Sequence, residues 1–365
     1  MKARARSLWM LLRPITFMLA GIAAAGSIAD SASSNEPVAR SAKETPEVWL
    51  CHHDIEDLAD PDADWDFVRK HLDGIKVYVG TLMGTRKHVR ISDEKLAFLA
   101  RIFEENGIQL AMECGGTLGW YRNTGPVGLQ SAKAEMSNID RVASLGGTMH
   151  YLDMDGPVSR TLWSGRHRFD HVRRGNTGYD NIDKCVEELI AYMKAVNRRY
   201  PDLKFFTLTN FPNWGWKGGA SYHSRHENNQ DWGDYYEVIS RLLHEAKEAG
   251  VANLVGVTVD SPYCYTIGRV KSVNLQDPSQ VDWVARLREL EDYVEGQGME
   301  LNLIVNSVER LEVDARTYCE ETLALIDLFE NAGGTPKRYI VQSWGHHPKN
   351  MLPESDPVSM TGLTK

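Results

Sequence analysis

The chain has 365 residues, 42% hydrophobic and 25% charged, with 41 basic against 50 acidic side chains and a formal net charge of −9. Such a composition excludes a disordered or fibrous protein, and the length allows one large core or two modest ones. No segment carries the basic stripe that phosphate neutralisation requires, so nucleic acid is not an expected partner.

In chain order, residues 1–29 read as an export signal. Lys2, Arg4 and Arg6 precede an apolar run from Ile15 to Ala25, well short of the ~18 residues a membrane span needs. Small-residue cleavage patterns follow at Ala23-Ala24-Ala25 and Ser27-Ile28-Ala29. The expected product is secreted or periplasmic, with no membrane attachment after cleavage; an uncleaved anchor is the alternative. Residues 30–46, rich in Ser, Ala and Glu, read as a flexible linker, and 47–365 as a single catalytic domain.

From there, short apolar runs of strand length alternate with longer amphipathic ones. The strands are expected at Val48–Cys51, Ile75–Val79, Ile108–Glu113, Met149–Met154, Phe205–Asn210, Leu254–Asp260, Leu301–Asn306 and Tyr339–Ser343. Helices are expected at 62–72, 93–106, 130–145, 181–199, 232–249, 279–297 and 309–331. Ser92 before Asp93 and Glu94 marks a helix start, and Gly107, Gly146, Gly250 and Gly333 fall where helices end. This alternation implies parallel strands joined by crossovers. Eight strands without a Gly-rich dinucleotide fingerprint point to an α/β fold of the (β/α)8 TIM-barrel type, with an open doubly wound sheet as the alternative. Only about twenty residues follow the eighth strand, so the eighth helix is short or missing.

In such a barrel the reacting groups come from the C-terminal strand ends. Here those ends are His52-His53-Asp54, Glu113, Asp153-Met154-Asp155, Asn210, Asp260, Asn306, and Gln342 to His346 and His347. Tyr151, Asp153 and Asp155 alternate with Leu152 and Met154, which puts both carboxylates on the barrel side and the apolar pair against the helices. Asp260 occupies the matching place two strands on. Neighbouring strands lie ~4.8 Å apart, so these backbones are separated by ~10 Å before the side chains converge. That geometry suits an acid and a base, or an acid and a nucleophile, flanking a glycosidic bond. The carboxylates are expected from Asp153, Asp155 and Asp260, with Glu113 assisting; Asp155, nearer the strand exit, is the preferred nucleophile or base and Asp260 the preferred acid. His52, Asn210, Asn306 and His346 are expected to hydrogen-bond substrate, and Trp214 and Trp344 to offer stacking faces. Trp120, Tyr121, Trp163, Trp216, Tyr222, Tyr263 and Tyr265 crowd the same loops. The stretch from Phe211 to Trp216 reads as too polar and turn-rich for core packing.

Other chemistries find less in the sequence. His52, His53 and Asp54 neighbour His346 and His347 in a closed barrel, and a metal-dependent hydrolase built on them is the alternative function. A barrel that binds carbohydrate without cleaving it is the second alternative. Lys76 sits in a Schiff-base-compatible strand, but Ile-Lys-Val-Tyr-Val supplies no second supporting residue. Neither a Gly-x-Ser-x-Gly elbow nor a phosphate-binding Gly-rich loop is present. Cys51, Cys114, Cys185, Cys264 and Cys319 are odd in number and widely spread, which allows at most two bridges and no C-x-x-C site. The leading reading takes a poly- or oligosaccharide as partner and no cofactor or metal.

The chain resembles the (β/α)8 glycoside hydrolases of the carboxylate-pair kind, in architecture from about Val48 to Ser343. Acids on strands four and six are similar in placement to the α-galactosidase-type clan, which implies a strand-four Asp as nucleophile and Asp260 as acid/base. The Asp-x-Asp of strand four is also similar to the chitinase-type motif, but that motif ends in a catalytic Glu where this chain has Pro157. The clan with catalytic Glu on strands four and seven is not matched, because those ends are Asp155 and Asn306.

Overall fold

The computed structural model describes residues 45–85, 89–116, 126–159, 181–222, 226–227, 230–231, 233–307, 314–344 and 347–365. The expected leader, nearly all of the linker, Trp120, Tyr121, Trp163 and His346 lie outside the described residues.

Eight strands form one closed parallel barrel: β1 (Glu47–Cys51), β2 (Gly74–Tyr78), β3 (Gln109–Cys114), β4 (Tyr151–Asp155), β5 (Lys204–Asn210), β6 (Leu254–Asp260), β7 (Glu300–Val305) and β8 (Arg338–Gln342). Each strand pairs with its neighbours in sequence, and β8 closes on β1 over five residue pairs. The expected strands all form, with ends moved by at most two residues. Between them run α1 (Asp93–Asn106), α2 (Val127–Ser144), α3 (Ile182–Arg199), α4 (Tyr235–Glu248), α5 (Trp283–Gly296) and α6 (Ala315–Asn331). The Ser92 side chain accepts the Lys95 N–H at the start of α1, and Asp234 and Glu237 cap α4 reciprocally. Gly107 ends α1 at φ +70, a conformation that a Cβ would strain.

Period-two patterning sets the layers. Outward residues such as Leu50, Val77, Met112, Leu152 and Val257 are buried against the helices. Each apolar side chain removed from water in this way stabilises by about 1.5–3 kcal/mol. Inward residues form a separate core in which Trp49, Tyr151 and Phe206 fill the lower barrel. Gly74 is required there, since a Cβ would lie 2.4 Å from the Trp49 indole.

One expected helix shrinks. Of 62–72 only Val68–His71 is helical, after a short turn at Ile55–Ala59. Asp60 competes with the helix: its carbonyl takes the Ala63 N–H at 3.0 Å and its carboxylate the Asp62 N–H at 2.9 Å. After β8 the chain runs as an irregular tail to a five-residue helix at Met360–Thr364, as the missing length implied. Met351 and Met360 are fully buried, and Glu354 accepts the backbone N–H groups of Phe67 and Val68. The tail is thereby tied to the loop that follows β1.

Candidate active site at the barrel mouth

In an eight-stranded barrel the register climbs about one residue per strand, so inward side chains fall into levels drawn from alternate strands. Following the paired residues around this barrel puts Lys76, Asp153, Thr258 and Ile340 on one level. Glu113 lies one level higher with Cys51, Leu208 and Ile304. Tyr78, Asp155, Asp260 and Gln342 form the level above that, and Asn210 and Asn306 crown it. The two expected reacting carboxylates, Asp155 and Asp260, therefore share a level two strands apart, and both are half-buried. Asn306, itself fully buried, donates from Nδ2 to Asp260 Oδ1 at 3.2 Å. Asn210 and Asp260 are direct partners across β5 and β6.

Beneath this ring lies a charged interior that sequence reasoning missed. Lys76 is fully buried, and its Nζ donates to Asp153 Oδ2 and to Glu113 Oε2, each at 2.8 Å. Gln342 Nε2 donates to the same Glu113 oxygen at 2.9 Å. Burial works against the lysine's charge, but the Asp153 and Glu113 carboxylates outweigh it and hold the ammonium above its ordinary value. Burial likewise pushes the Asp153 carboxyl up, with Lys76 pulling the other way. A chain of donors climbs toward the level of Asp153 from below. Arg338 Nη1 donates to Asn302 Oδ1 at 3.1 Å and Asn302 Nδ2 to Thr258 Oγ1 at 3.1 Å. The sequence did hold a signal. Lys76, Glu113 and Asp153 all have inward parity in otherwise apolar strands, and a charge there needs a partner.

Asp153, expected among the catalytic carboxylates at the mouth, does face inward, but at 1% exposure it is sealed under the ring as the anchor of Lys76. Glu113 keeps 13% of its side chain exposed. His52 is not available for substrate. Its Nδ1 accepts the Asp54 N–H at 3.1 Å, which leaves the proton on Nε2 to bond the Pro348 carbonyl at 3.1 Å. Burial lowers its pKa, so the neutral ring serves as a bracket between β1 and the tail. Trp214 is corrected too: the turn at Phe211–Asn213 folds it inward at 3% exposure, 5.8 Å from the Tyr235 ring. Phe211 and Trp216 are buried beside it, and Tyr222 stacks on Trp283. The polar look of that stretch comes from its turn residues, while its rings belong to the core. Trp344 remains 41% exposed, with its backbone carbonyl 3.3 Å from His53 Nε2 and His53 stacked on Tyr78 at 4.2 Å.

All five cysteines are buried, and none of them forms a disulfide. Among the described residues no group of three or more His, Cys, Asp or Glu is arranged to hold a metal ion. No helix among them is long and apolar enough to cross a membrane. A cavity of about 860 Å³ opens between the loop after β1, the start of α1 and the tail, lined by Asp57, Asp60, Lys95 and Leu352 among others. None of the inward carboxylates lines it.

No family model matches this sequence, and no curated protein does. Solved structures are similar at the level of the barrel. A psychrophilic glycoside hydrolase family 10 endo-β-1,4-xylanase aligns at 11% identity over 82% of this chain and 86% of its own, with a TM-score of 0.48. The intracellular xylanase TsXylA from Thermoanaerobacterium saccharolyticum aligns at 11% identity over 82% of this chain and 86% of its own, with a TM-score of 0.49. A GH5_18 protein from Streptomyces cattleya, solved with GlcNAc, aligns at 14% identity over 87% of this chain and 74% of its own, with a TM-score of 0.46. A pyruvate carboxylase from Rhizobium etli is similar as well, at 12% identity over 82% of this chain and 23% of its own, with a TM-score of 0.41. The resemblance to (β/α)8 glycoside hydrolases is one of architecture, without a family.

Proposed function

We propose that this protein is a glycoside hydrolase that cleaves a poly- or oligosaccharide at the C-terminal mouth of the barrel. The observation that carries the reading is the pair of half-buried carboxylates, Asp155 and Asp260, on one level of alternate strands, with Asn210 and Asn306 above them. Asp260 is assigned as the acid, giving its proton to the glycosidic oxygen as the C–O bond breaks. Asp155 is assigned to the opposite side, attacking the anomeric carbon or taking the proton of the water that does. Glu113 supplies a third carboxylate, and the exposed Trp344 a flat face for a sugar ring. Export through the segment at 1–29 belongs to the same proposal, and sequencing the N-terminus of the secreted product checks it.

The test is release of new reducing ends by the purified protein from a panel of neutral, acidic and amino-sugar polysaccharides. Release that disappears in Asp155→Asn and Asp260→Asn supports the assignment. Binding by calorimetry without any new reducing ends over a long incubation makes the protein a carbohydrate-binding barrel and overturns it.

A further inference from the structure

We propose that Lys76 is the positioning residue of this site, holding the Glu113 carboxylate in a fixed place beneath Asp155 and Asp260; the inference rests on the hydrolase reading. Glu113 starts one level below the two aspartates and is one methylene longer, so its carboxylate is brought toward theirs. Both donors that reach it, Lys76 from β2 and Gln342 from β8, land on Oε2. Oε1 accepts from no donor among the described residues. A carboxylate pinned through one oxygen, with the other left for a water or a reacting carbon, is held as oriented chemistry requires.

Lys76 cannot drift from this position. It is fully buried, and the equally buried Asp153 accepts from it at 2.8 Å. Stability alone does not account for the trio, because a buried ion pair is seldom better than a well-packed apolar filling of the same volume. What the lysine adds is a fixed anion beneath Asp155 and Asp260.

The experiment compares Asp153→Asn with the double variant Lys76→Met/Asp153→Asn, which removes one charge of each sign and leaves the interior no more charged than before. On a polysaccharide the wild type degrades, Asp153→Asn keeps kcat within about tenfold. The double variant loses about 100-fold more in kcat with KM within about threefold. Its crystal structure shows the Glu113 carboxylate displaced. A double variant that matches Asp153→Asn in kcat, or leaves Glu113 in place, overturns the proposal. Should the double variant not fold, Gln342→Leu removes the other donor without touching a charge and lowers kcat about tenfold; unchanged kcat overturns the proposal equally. If the wild type degrades nothing on the panel, the hydrolase reading falls by itself, and the position of Glu113 in the crystal still decides what Lys76 does.

Discussion

The barrel holds a buried cation near each end, and their surroundings differ. At the N-terminal end Arg338 lies between Glu47 and Glu300, with the rings of Trp49, Tyr151 and Phe206 each about 5.2–5.3 Å from its guanidinium carbon. Nearer the mouth Lys76 also lies between two acids, but among the described residues no ring closes over it, and more carboxylates rise above. The planar guanidinium suits a cage of rings and ends in a packed plug. Above the lysine lie the half-buried Asp155 and Asp260. One end is built to stay shut and the other to present charge, the division expected between the two faces of such a barrel.

Substitutions should separate the two ends cleanly. The largest effect is expected at the mouth: Asp260→Asn lowers kcat by about 10³-fold while the melting temperature moves by no more than a degree or two. A large loss of stability with activity retained would erase the contrast. At the other end Arg338→Met leaves two carboxylates without their cation and costs about 3 kcal/mol in chemical denaturation, with activity per folded molecule retained. A loss of activity there without a loss of stability would show that the Arg338–Asn302–Thr258 chain acts on the mouth.

A third variant tests a carboxyl outside both ends. Glu135 on α2 is buried, with Asn138 and the Gly115 backbone as partners, and burial raises its pKa to about 7. The folded state therefore holds a proton that the unfolded chain releases near its ordinary 4.5. Stability from this group falls as pH rises between those values and is flat above. Glu135→Gln lacks that loss, so relative to wild type it gains on the order of 2 kcal/mol between pH 5 and pH 8 in denaturant titrations. Equal pH dependence in both proteins would refute the assignment. The smallest effect belongs to Trp344→Ala, which removes an exposed face. KM rises about fivefold, roughly 1 kcal/mol, with kcat unchanged. A change in kcat instead would place the indole against the reacting bond.

Much of this was legible from local pattern. Alternating apolar runs gave eight strands, and the two-residue period of Tyr151 to Asp155 told which side chains face inward. What pattern could not give was partnership across the barrel. Lys76 meets Asp153 77 positions away, and His52 meets Pro348 across 296. Trp214 misled for a related reason, since its packing partner Tyr235 lies on the next helix. Period tells where a side chain points. Only the closed sheet tells what stands opposite.

The tail after β8 has a consequence for synthesis. β1 is made first among the strands, yet its lateral partner, and the Pro348 and Glu354 contacts that brace the loop behind it, come from residues 338–354. A ribosome must deliver nearly all of the chain before the cylinder can shut, so the nascent protein waits with an open seam whose edge strands are exposed to any strand-seeking neighbour.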